Sequence, residues 1–341
     1  MRDPDCLSLI PQRLAGSPYV VPTGSRLCPR GDGAVFCAWF ACAQLALVLA
    51  FVPPSNSAPR VERPYVVVLG IAQDGGLPQA GCRKRCCTSG QHEDVSSLAL
   101  VDPASHRWWL FDATPDFPRQ LERMTREAPA CSLAGVFLTH AHIGHYTGLM
   151  HLGREVMGAK AVPVWAMPRM HEYLATNGPW SQLVRLKNIE LRPLAADASV
   201  SLGDSLQVSP FLVPHRDEYS ETVGFRIASS RGSVTFLPDI DKWERWNRRI
   251  EEVANSSSVA YLDGTFFDGA ELPGRDMREI PHPFITESLD RFATLPAATR
   301  ARVRFIHLNH TNPALLRSSP ERLRIERSGA RVAAAGERVG L

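Results

Sequence analysis

Two periodicities of hydrophobic and polar positions alternate along the chain from Tyr65 onward. Short apolar runs, such as Tyr65-Val66-Val67-Val68-Leu69, predict strands, and polar stretches with an apolar residue at every third or fourth position predict helices. The predicted strands cover residues 65–69, 97–101, 108–111, 135–139, 162–166, 222–228, 233–237, 259–262 and 303–308, and residues 184–213 are also rich in strand signals. The predicted helices cover residues 115–126, 145–158, 169–175, 241–253 and 286–292, and a last helix follows its capping residue Ser319. Strand-rich blocks with helices inserted through both halves predict an α/β fold of two facing β-sheets covered by outer helices.

The first 60 residues differ in character from the rest. Ala34–Val52 is a 19-residue apolar run in which Gln44 is the one polar side chain. As a helix it would be about 28 Å long, close to the hydrocarbon thickness of a bilayer. Arginines before the run and small residues after it indicate an export signal, with possible cleavage after Ser57. A retained membrane anchor and a buried core helix are the alternatives. We therefore predict a leader over residues 1–60, a folded domain over residues 61–341, and an exported, periplasmic or membrane-anchored protein.

Composition and charge narrow the class of protein. The 341 residues are 44% hydrophobic and 21% charged, which is typical of a globular protein, and the formal net charge is +3. A chain that binds nucleic acid usually carries a strong basic patch or a run of Lys and Arg, and this sequence has neither. We therefore expect an enzyme that acts on a small molecule.

The densest candidate chemistry is the segment Thr139-His140-Ala141-His142-Ile143-Gly144-His145, which follows a predicted strand directly. Two histidines at positions i and i+2 of an extended backbone point to the same side. The turn into the next helix can bring His145 back to the same point. Three converging imidazoles can bind Zn²⁺ or a similar ion and leave positions open for water and substrate.

The same segment resembles the signature of the metallo-β-lactamase superfamily, strand-His-x-His-x-Asp-His, with Gly144 in place of the aspartate. Further residues of the superfamily pattern follow in the expected order, each after an apolar strand: His215, Asp239 and His307. The resemblance implies an α/β fold of the metallo-β-lactamase type, an αββα sandwich of two facing mixed β-sheets with outer helices. It also implies a ligand set of His140, His142 and His215 for a first metal, a set of His145, Asp239 and His307 for a second, with Asp239 bridging, and a role for Asp112 in orienting a ligand histidine.

The departure at Gly144 changes what the resemblance implies about metal content. Glycine supplies neither the metal ligand nor the base that the motif aspartate provides. We therefore expect one or two catalytic Zn²⁺ ions, with Mn²⁺ or Fe²⁺ as alternatives, and a second site that is weakened or empty.

Within the superfamily, residues 65–341 resemble the branch of the pyrroloquinoline quinone (PQQ) synthesis protein B and its phosphodiesterase relatives. The matching pieces are Ala113-Thr114-Pro115-Asp116, His145-Tyr146-Thr147-Gly148-Leu149, Asp263-Gly264-Thr265, Asn309-His310-Thr311-Asn312-Pro313 and Ser319-Pro320-Glu321-Arg322. Members that make PQQ have a degraded histidine motif, whereas this chain keeps all three histidines. The resemblance therefore leaves open whether the chain serves PQQ synthesis or hydrolyses another compound.

A second candidate metal site involves three cysteines, Cys82, Cys86 and Cys87. Relatives in this branch bind a structural zinc with a Cys-x-Cys-x-x-Cys loop and a histidine three residues past the last catalytic histidine, which here is His310. Lys84 stands at the middle cysteine of that pattern, and Cys86 can substitute for it. The resemblance thus implies a Cys₃His zinc site, while a disulfide or buried thiols are the alternatives.

These observations predict a metal-dependent hydrolase, with a phosphodiester or related ester as substrate. A metal-bound hydroxide is expected to attack, with Asp239 at the catalytic centre. His282 is a candidate general acid or, alternatively, a loop histidine that caps a helix before Pro283. Two other functions remain open: an oxidative step in PQQ biosynthesis at a His/Asp iron site, and a non-catalytic carrier that binds a cofactor.

Overall fold

The computed structural model describes residues 63–203, 205–276 and 279–341. The predicted leader over residues 1–60, including the apolar run Ala34–Val52, lies outside these residues. Within the described part of the chain, no helix is both long enough and apolar enough to cross a membrane.

The first of two seven-stranded sheets is built mainly from the N-terminal half of the described chain. Its strands are β1 (Tyr65–Gly70), β2 (Ser97–Asp102), β3 (Arg107–Phe111), β4 (Ser132–Phe137), β5 (Val162–Ala166), β6 (Ile189–Pro193) and β14 (Arg338–Gly340). They are hydrogen-bonded in the order β14-β1-β2-β3-β4-β5-β6. The pairs from β14 to β3 are antiparallel and those from β3 to β6 are parallel, so the sheet is mixed.

The second sheet has the same mixed character. Its strands are β7 (Val200–Ser201), β8 (Gln207–Leu212), β9 (Val223–Ala228), β10 (Ser233–Leu237), β11 (Val259–Asp263), β12 (Val303–Ile306) and β13 (Arg331–Val332), in the order β13-β12-β11-β10-β9-β8-β7. The strands from β7 to β10 pair antiparallel, and those from β10 to β13 pair parallel.

Helices connect the strands along both halves of the chain. They are α1 (Arg85–Thr88), α2 (Phe117–Glu127), α3 (Ile143–Tyr146), α4 (Pro168–Thr176), α5 (Trp180–Arg185), α6 (Ile250–Ser256), α7 (Ile285–Phe292), α8 (Ala297–Arg300) and α9 (Pro320–Arg327). In α9, the Ser319 hydroxyl accepts the N–H of Arg322, which is the cap that the sequence predicts.

The side chains of β1 show how the layers are stacked. Val67 and Leu69 belong to one apolar cluster, which includes buried residues of α2, α4 and α5. Val66 and Val68 face the other way, into a cluster that contains the second sheet. Successive strand residues point to opposite faces, so this sheet is buried on both sides. The arrangement confirms the predicted αββα sandwich.

Four phenylalanines join the two sheets at the centre of the sandwich. Phe111 and Phe137 of the first sheet stack with ring centroids 5.1 Å apart. Phe225 of the second sheet meets both of them edge-on, at 5.5 and 5.7 Å, and Phe236 meets Phe111 at 6.4 Å. All four side chains are fully buried.

Two predicted helices differ from the observed elements. In place of a helix over residues 145–158, the chain makes the short helix α3 and then a 3-10 turn over Thr147–Leu152. The turn packs so closely that a Cβ at Gly148 would lie 2.2 Å from the Thr114 carbonyl oxygen. The other prediction, residues 241–253, resolves into a 3-10 turn (Trp243–Arg245) and α6, because the chain is extended at Trp246. Trp243 and Trp246 are both buried.

Candidate metal centre

The candidate ligands gather because parallel strands of both sheets end at one edge of the sandwich. Asp112 follows β3, and His140 comes three residues after β4. In the second sheet, Asp239 follows β10, Asp263 is the last residue of β11, and His307 follows β12 directly. The carboxyl ends of neighbouring parallel strands lie side by side, which is where α/β proteins place their sites.

Four side chains form a first donor set: His140, His142, His215 and Asp239. Nε2 of His140 lies 2.8 Å from Nδ1 of His142, which lies 3.2 Å from Nε2 of His215. Oδ2 of Asp239 completes the set at 3.4 Å from His140 Nε2 and 3.3 Å from His215 Nε2. Four ligands at 2.0–2.1 Å from a tetrahedral Zn²⁺ are about 3.3 Å from one another. The first donor set therefore fits a divalent metal ion.

A second donor set lies next to the first and contains His145, His307 and a residue that the sequence analysis did not select, Asp74. Oδ1 of Asp74 is 3.3 Å from His145 Nε2 and 3.7 Å from His307 Nε2. Asp239 stands between the sets, because its Oδ2 is also 4.0 Å from His145 Nε2. The predicted ligands His145, Asp239 and His307 are thus brought together, with one more carboxylate than the sequence analysis counted.

The three atoms of the second donor set are buried without a hydrogen-bond partner: Asp74 Oδ1, His145 Nε2 and His307 Nε2. A buried polar atom without a partner costs free energy. Three such atoms pointing at one another are explained if a cation is bound between them.

Partners on the far side of each ring set the orientation of the histidines. Asp112 Oδ2 lies 2.7 Å from Nδ1 of His145, and the same carboxylate accepts the N–H and the hydroxyl of Thr139. That hydroxyl lies 3.0 Å from Nδ1 of His140. Since the Nδ1 atoms of His140 and His145 are held by these partners, the Nε2 atoms of the same two rings face the centre of the site.

The second sheet repeats this arrangement. The Thr265 hydroxyl donates to Oδ1 of Asp263 at 2.7 Å and lies 3.0 Å from Nδ1 of His307. Each sheet therefore contributes one Asp–Thr pair that directs a ligand histidine towards the centre.

The buried charges of the site show an excess of negative charge. Burial lowers the pKa of His140 well below its usual value. Burial also opposes a charged His145, but Asp112 and Asp74 outweigh it and raise the pKa of His145 to about 10. Asp239 likewise overcomes burial and raises the pKa of His215 to about 9. The carboxylates thus draw positive charge into the site, which a bound cation supplies as well as a proton does.

His282, the candidate general acid, lies beside both donor sets. Its ring centroid is 5.7 Å from that of His215 and 6.2 Å from that of His307. Nδ1 of His282 is 2.9 Å from Oδ2 of Asp263 and 3.1 Å from Oδ1 of Asp239. His282 does not occupy the alternative position, that of a helix cap. Phe284 is the residue that precedes α7, and the backbone N–H of Phe284 donates to the side chain of Glu287.

Beside the first donor set, the exposed side chain of Arg216 forms an ion pair with Glu218, with Nε 3.6 Å from Oε1. Nη2 of Arg216 lies 3.2 and 3.3 Å from the two ring nitrogens of His142. Arg216 is 53% exposed, and its neighbour Glu218 holds Nε2 of His142 at 2.9 Å. An anionic group that reaches the donor atoms from solvent would compete with Glu218 for this guanidinium.

The cysteine cluster, Cys82, Cys86, Cys87 and His310, has its four donor atoms within 4.8 Å of one another. The sulfurs of Cys86 and Cys87 are 3.9 Å apart and no disulfide joins any of the three cysteines. Bonds of about 2.3 Å to a tetrahedral zinc place sulfurs roughly 3.8 Å apart. The structure therefore brings together the four residues that the resemblance implies.

The fold and the paired donor sets define an αββα protein built to hold metal at the edge of its two sheets. The model of the Beta-lactamase superfamily domain matches residues 107–333. The chain therefore belongs to this superfamily, in its metallo-β-lactamase form.

Similar proteins indicate which branch of the superfamily this chain resembles. Coenzyme PQQ synthesis protein B of Ruegeria pomeroyi is 29% identical over 298 residues, which cover 79% of this chain and 97% of that protein. The protein of the same name from Pseudomonas putida is 27% identical over 313 residues, which cover 81% of this chain and all of that protein. These similarities confirm the resemblance to the PQQ synthesis protein B branch.

Solved structures share the fold. Zn²⁺-bound PqqB from Methylobacterium extorquens superposes with a TM-score of 0.68 at 23% identity, covering 81% of this chain and 100% of that chain. A diphosphatase from the PhnP family superposes with a TM-score of 0.59 at 20% identity, covering 82% and 98%. At these identities the structures support the sandwich architecture and no more.

Proposed function

We propose that the protein is a metal-dependent hydrolase of phosphodiesters or related phosphate esters. The observation that carries this proposal is the first donor set, in which three histidines and Asp239 have the spacing of metal ligands and lie beside the guanidinium of Arg216. Because a diphosphatase of the PhnP family has the same fold, phosphate-ester hydrolysis is the reaction class to test first.

Different residues of the chain would have different roles in such a reaction. His140, His142 and His215 would hold a metal ion, with Asp239 completing the set; a bound ion would activate water and stabilise charge on the substrate oxygen. Arg216 would bind the anionic phosphate as it reaches the site, because its guanidinium matches phosphate oxygens in pairs. Glu218 and Thr139 would keep the rings of His142 and His140 in place.

His282 would protonate the leaving oxygen. Asp263 holds its Nδ1, so Nε2 is the nitrogen left for the substrate. The ring is 7% exposed and lies beside both donor sets, within reach of a substrate bound there.

A second candidate function is an oxidative step in PQQ synthesis. The similarity to Coenzyme PQQ synthesis protein B favours it, and so does the composition of the second donor set. Two histidines with one carboxylate are the ligands of many non-haem Fe(II) sites. Metal analysis of the natively expressed protein separates the two: zinc or manganese supports hydrolysis, and iron supports oxidation.

The first experiment removes the imidazoles that hold the metal. His140→Ala and His142→Ala should each lose the metal and the hydrolysis of a chromogenic phosphodiester together. Both should stay folded, because these side chains sit at the sheet edge rather than between the sheets. His106→Asn is the matched control, since His106 precedes β3 at the end opposite Asp112. If either alanine variant keeps its metal and full activity, the hydrolase proposal is wrong.

His282→Ala should behave differently in the same assay. It should retain the metal, while kcat falls by roughly 10² to 10⁴, as expected for a lost general acid. A metal-loaded, folded protein with no turnover of any phosphate ester would instead support the carrier function.

A further inference from the structure

The position of Gly144 leaves no room for a side chain. A Cβ added there would lie 2.1 Å from Oδ1 of Asp74 and 2.6 Å from its Cα. Both distances are far below a van der Waals contact, and one of them is to backbone. An aspartate at 144 and the observed loop at 74 therefore exclude each other.

The space that a carboxylate at 144 would occupy is filled by the carboxylate of Asp74. Oδ1 of Asp74 faces Nε2 of His145 at 3.3 Å and Nε2 of His307 at 3.7 Å. Those two nitrogens are the ones left over after Asp112 and Thr265 engage the opposite sides of the rings.

These contacts are poor hydrogen bonds but good ligand separations. The three atoms lie within 4.8 Å of one another, and each is buried without a hydrogen-bond partner. A bound metal ion satisfies all three atoms at once.

The loop that carries Asp74 is tied to the segment that carries His307. The N–H of Gln73 donates to the carbonyl of Leu308 at 2.8 Å, and the N–H of Leu308 donates to Ile71 at 2.8 Å. Gly76 closes the turn with a positive φ of 66° and donates to the carbonyl of Gln73. These bonds join the loop that carries Asp74 to the residue that follows His307. The backbone therefore fixes the position of Asp74 relative to His307.

We propose that Asp74 is a ligand of the second metal ion and replaces the carboxylate that the superfamily motif carries at the position of Gly144. The proposal rests on the metal centre of the proposed function but not on the reaction it catalyses. It reverses the expectation of a weakened second site, which counted only the residues of the motif.

Binding of Mn²⁺ to metal-depleted protein, followed by equilibrium dialysis, tests the proposal. Mn²⁺ suits carboxylate and imidazole donors better than thiolates, so the count reports the histidine sites and not the cysteine cluster. The unchanged protein should bind two ions per chain. Asp74→Asn, which keeps the shape of the side chain, should bind the second ion at least about tenfold more weakly, while Gln73→Ala should match the unchanged protein.

The reciprocal exchange separates ligation from a structural role. Gly144→Asp alone should lose the second ion or unfold, because its Cβ meets Asp74. Asp74→Gly combined with Gly144→Asp removes the first carboxylate, and once the loop has shifted away from the new Cβ, which would lie 2.6 Å from the Cα of residue 74, the second carboxylate should restore two ions. A merely structural Asp74 would not be rescued in this way.

Three results would overturn the proposal: one Mn²⁺ per unchanged chain, undiminished second-ion binding in Asp74→Asn, or no recovery in a folded double variant. Failure of the proposed function looks different. If the protein binds two ions in a way that depends on Asp74 but hydrolyses no phosphate ester, the hydrolase proposal is wrong and Asp74 is still a metal ligand.

Discussion

At the scale of single residues, Asp112 links both donor sets to the core of the first sheet. It is fully buried, and its backbone φ of 65° is in the left-handed region, which Asp and Asn tolerate better than most residues. From there its carboxylate holds His145 directly and His140 through Thr139. A residue that touches no metal thus controls the direction of two candidate ligands.

Asp112→Asn should therefore weaken metal binding without unfolding the protein. Asparagine keeps the backbone conformation and the size of the side chain, but an amide cannot pair with His145 as a carboxylate does. We expect metal affinity to fall about 10- to 100-fold, the usual effect of losing such a partner. Competition with a chelator measures this affinity. Asp102→Asn, at the far end of β2, is the control, and equal affinities in all three proteins would contradict the role of Asp112.

At the scale of elements, the segment after β12 serves two sites at once. His307 follows the strand and belongs to the second donor set, and His310, three residues later, belongs to the cysteine cluster. Between them, Leu308 is fully buried and pairs with the loop that follows β1. The same loop continues to the cysteines of α1, so a metal in the cysteine cluster would fasten the loop and this segment together.

Removal of two thiolates of the cysteine cluster should test whether a metal there holds the loop and this segment together. Cys82→Ser combined with Cys87→Ser should release one zinc per chain and lower Tm, because zinc binding is coupled to local folding. The metal of the first donor set should stay, since none of its ligands lies in this segment. Zinc analysis and thermal unfolding measure both effects, with Cys131→Ser as control. A disulfide between these cysteines in freshly purified protein would refute the zinc site.

At the scale of the whole molecule, the site depends on how the two sheets face each other. Both Asp–Thr pairs sit at strand ends of different sheets, and the four phenylalanines between the sheets set the spacing. Phe225 contacts both Phe111 and Phe137, so it contributes to the packing of both layers.

Phe225→Ala should therefore be costly to the whole fold. Loss of a buried phenylalanine destabilises proteins by about 3–5 kcal/mol, because transfer and cavity terms add. Denaturant unfolding of the metal-loaded protein measures the loss. Leu186→Ala removes a side chain that is 43% exposed and should cost far less. A loss below about 1 kcal/mol at Phe225 would mean that the sheets do not depend on this contact.

The sequence by itself determined the class of fold and most of the first donor set. Strand periodicity is local, and a histidine placed just after an apolar run is carried to a strand end whatever the rest of the chain does. The spacing of His140 and His142 on extended backbone needs no tertiary information either. The two facing sheets and the strand-end positions of His215, Asp239 and His307 could be predicted for these reasons, whereas the αββα type and the role of these residues as ligands came from the resemblance to the superfamily.

Only the tertiary structure showed that Asp74 fills the space beside Gly144. It also decided where the chain leaves the helices predicted over residues 145–158 and 241–253. Asp74 lies 70 residues before Gly144 in the chain, and its turn, Asp74-Gly75-Gly76, has the composition of an ordinary loop. The N–H of Gly148 donates to the carbonyl of Ala113 instead of continuing the helix predicted over residues 145–158, and helical periodicity contains no sign of such a contact. A side chain that acts through space depends on which distant backbones meet, and local pattern does not record that.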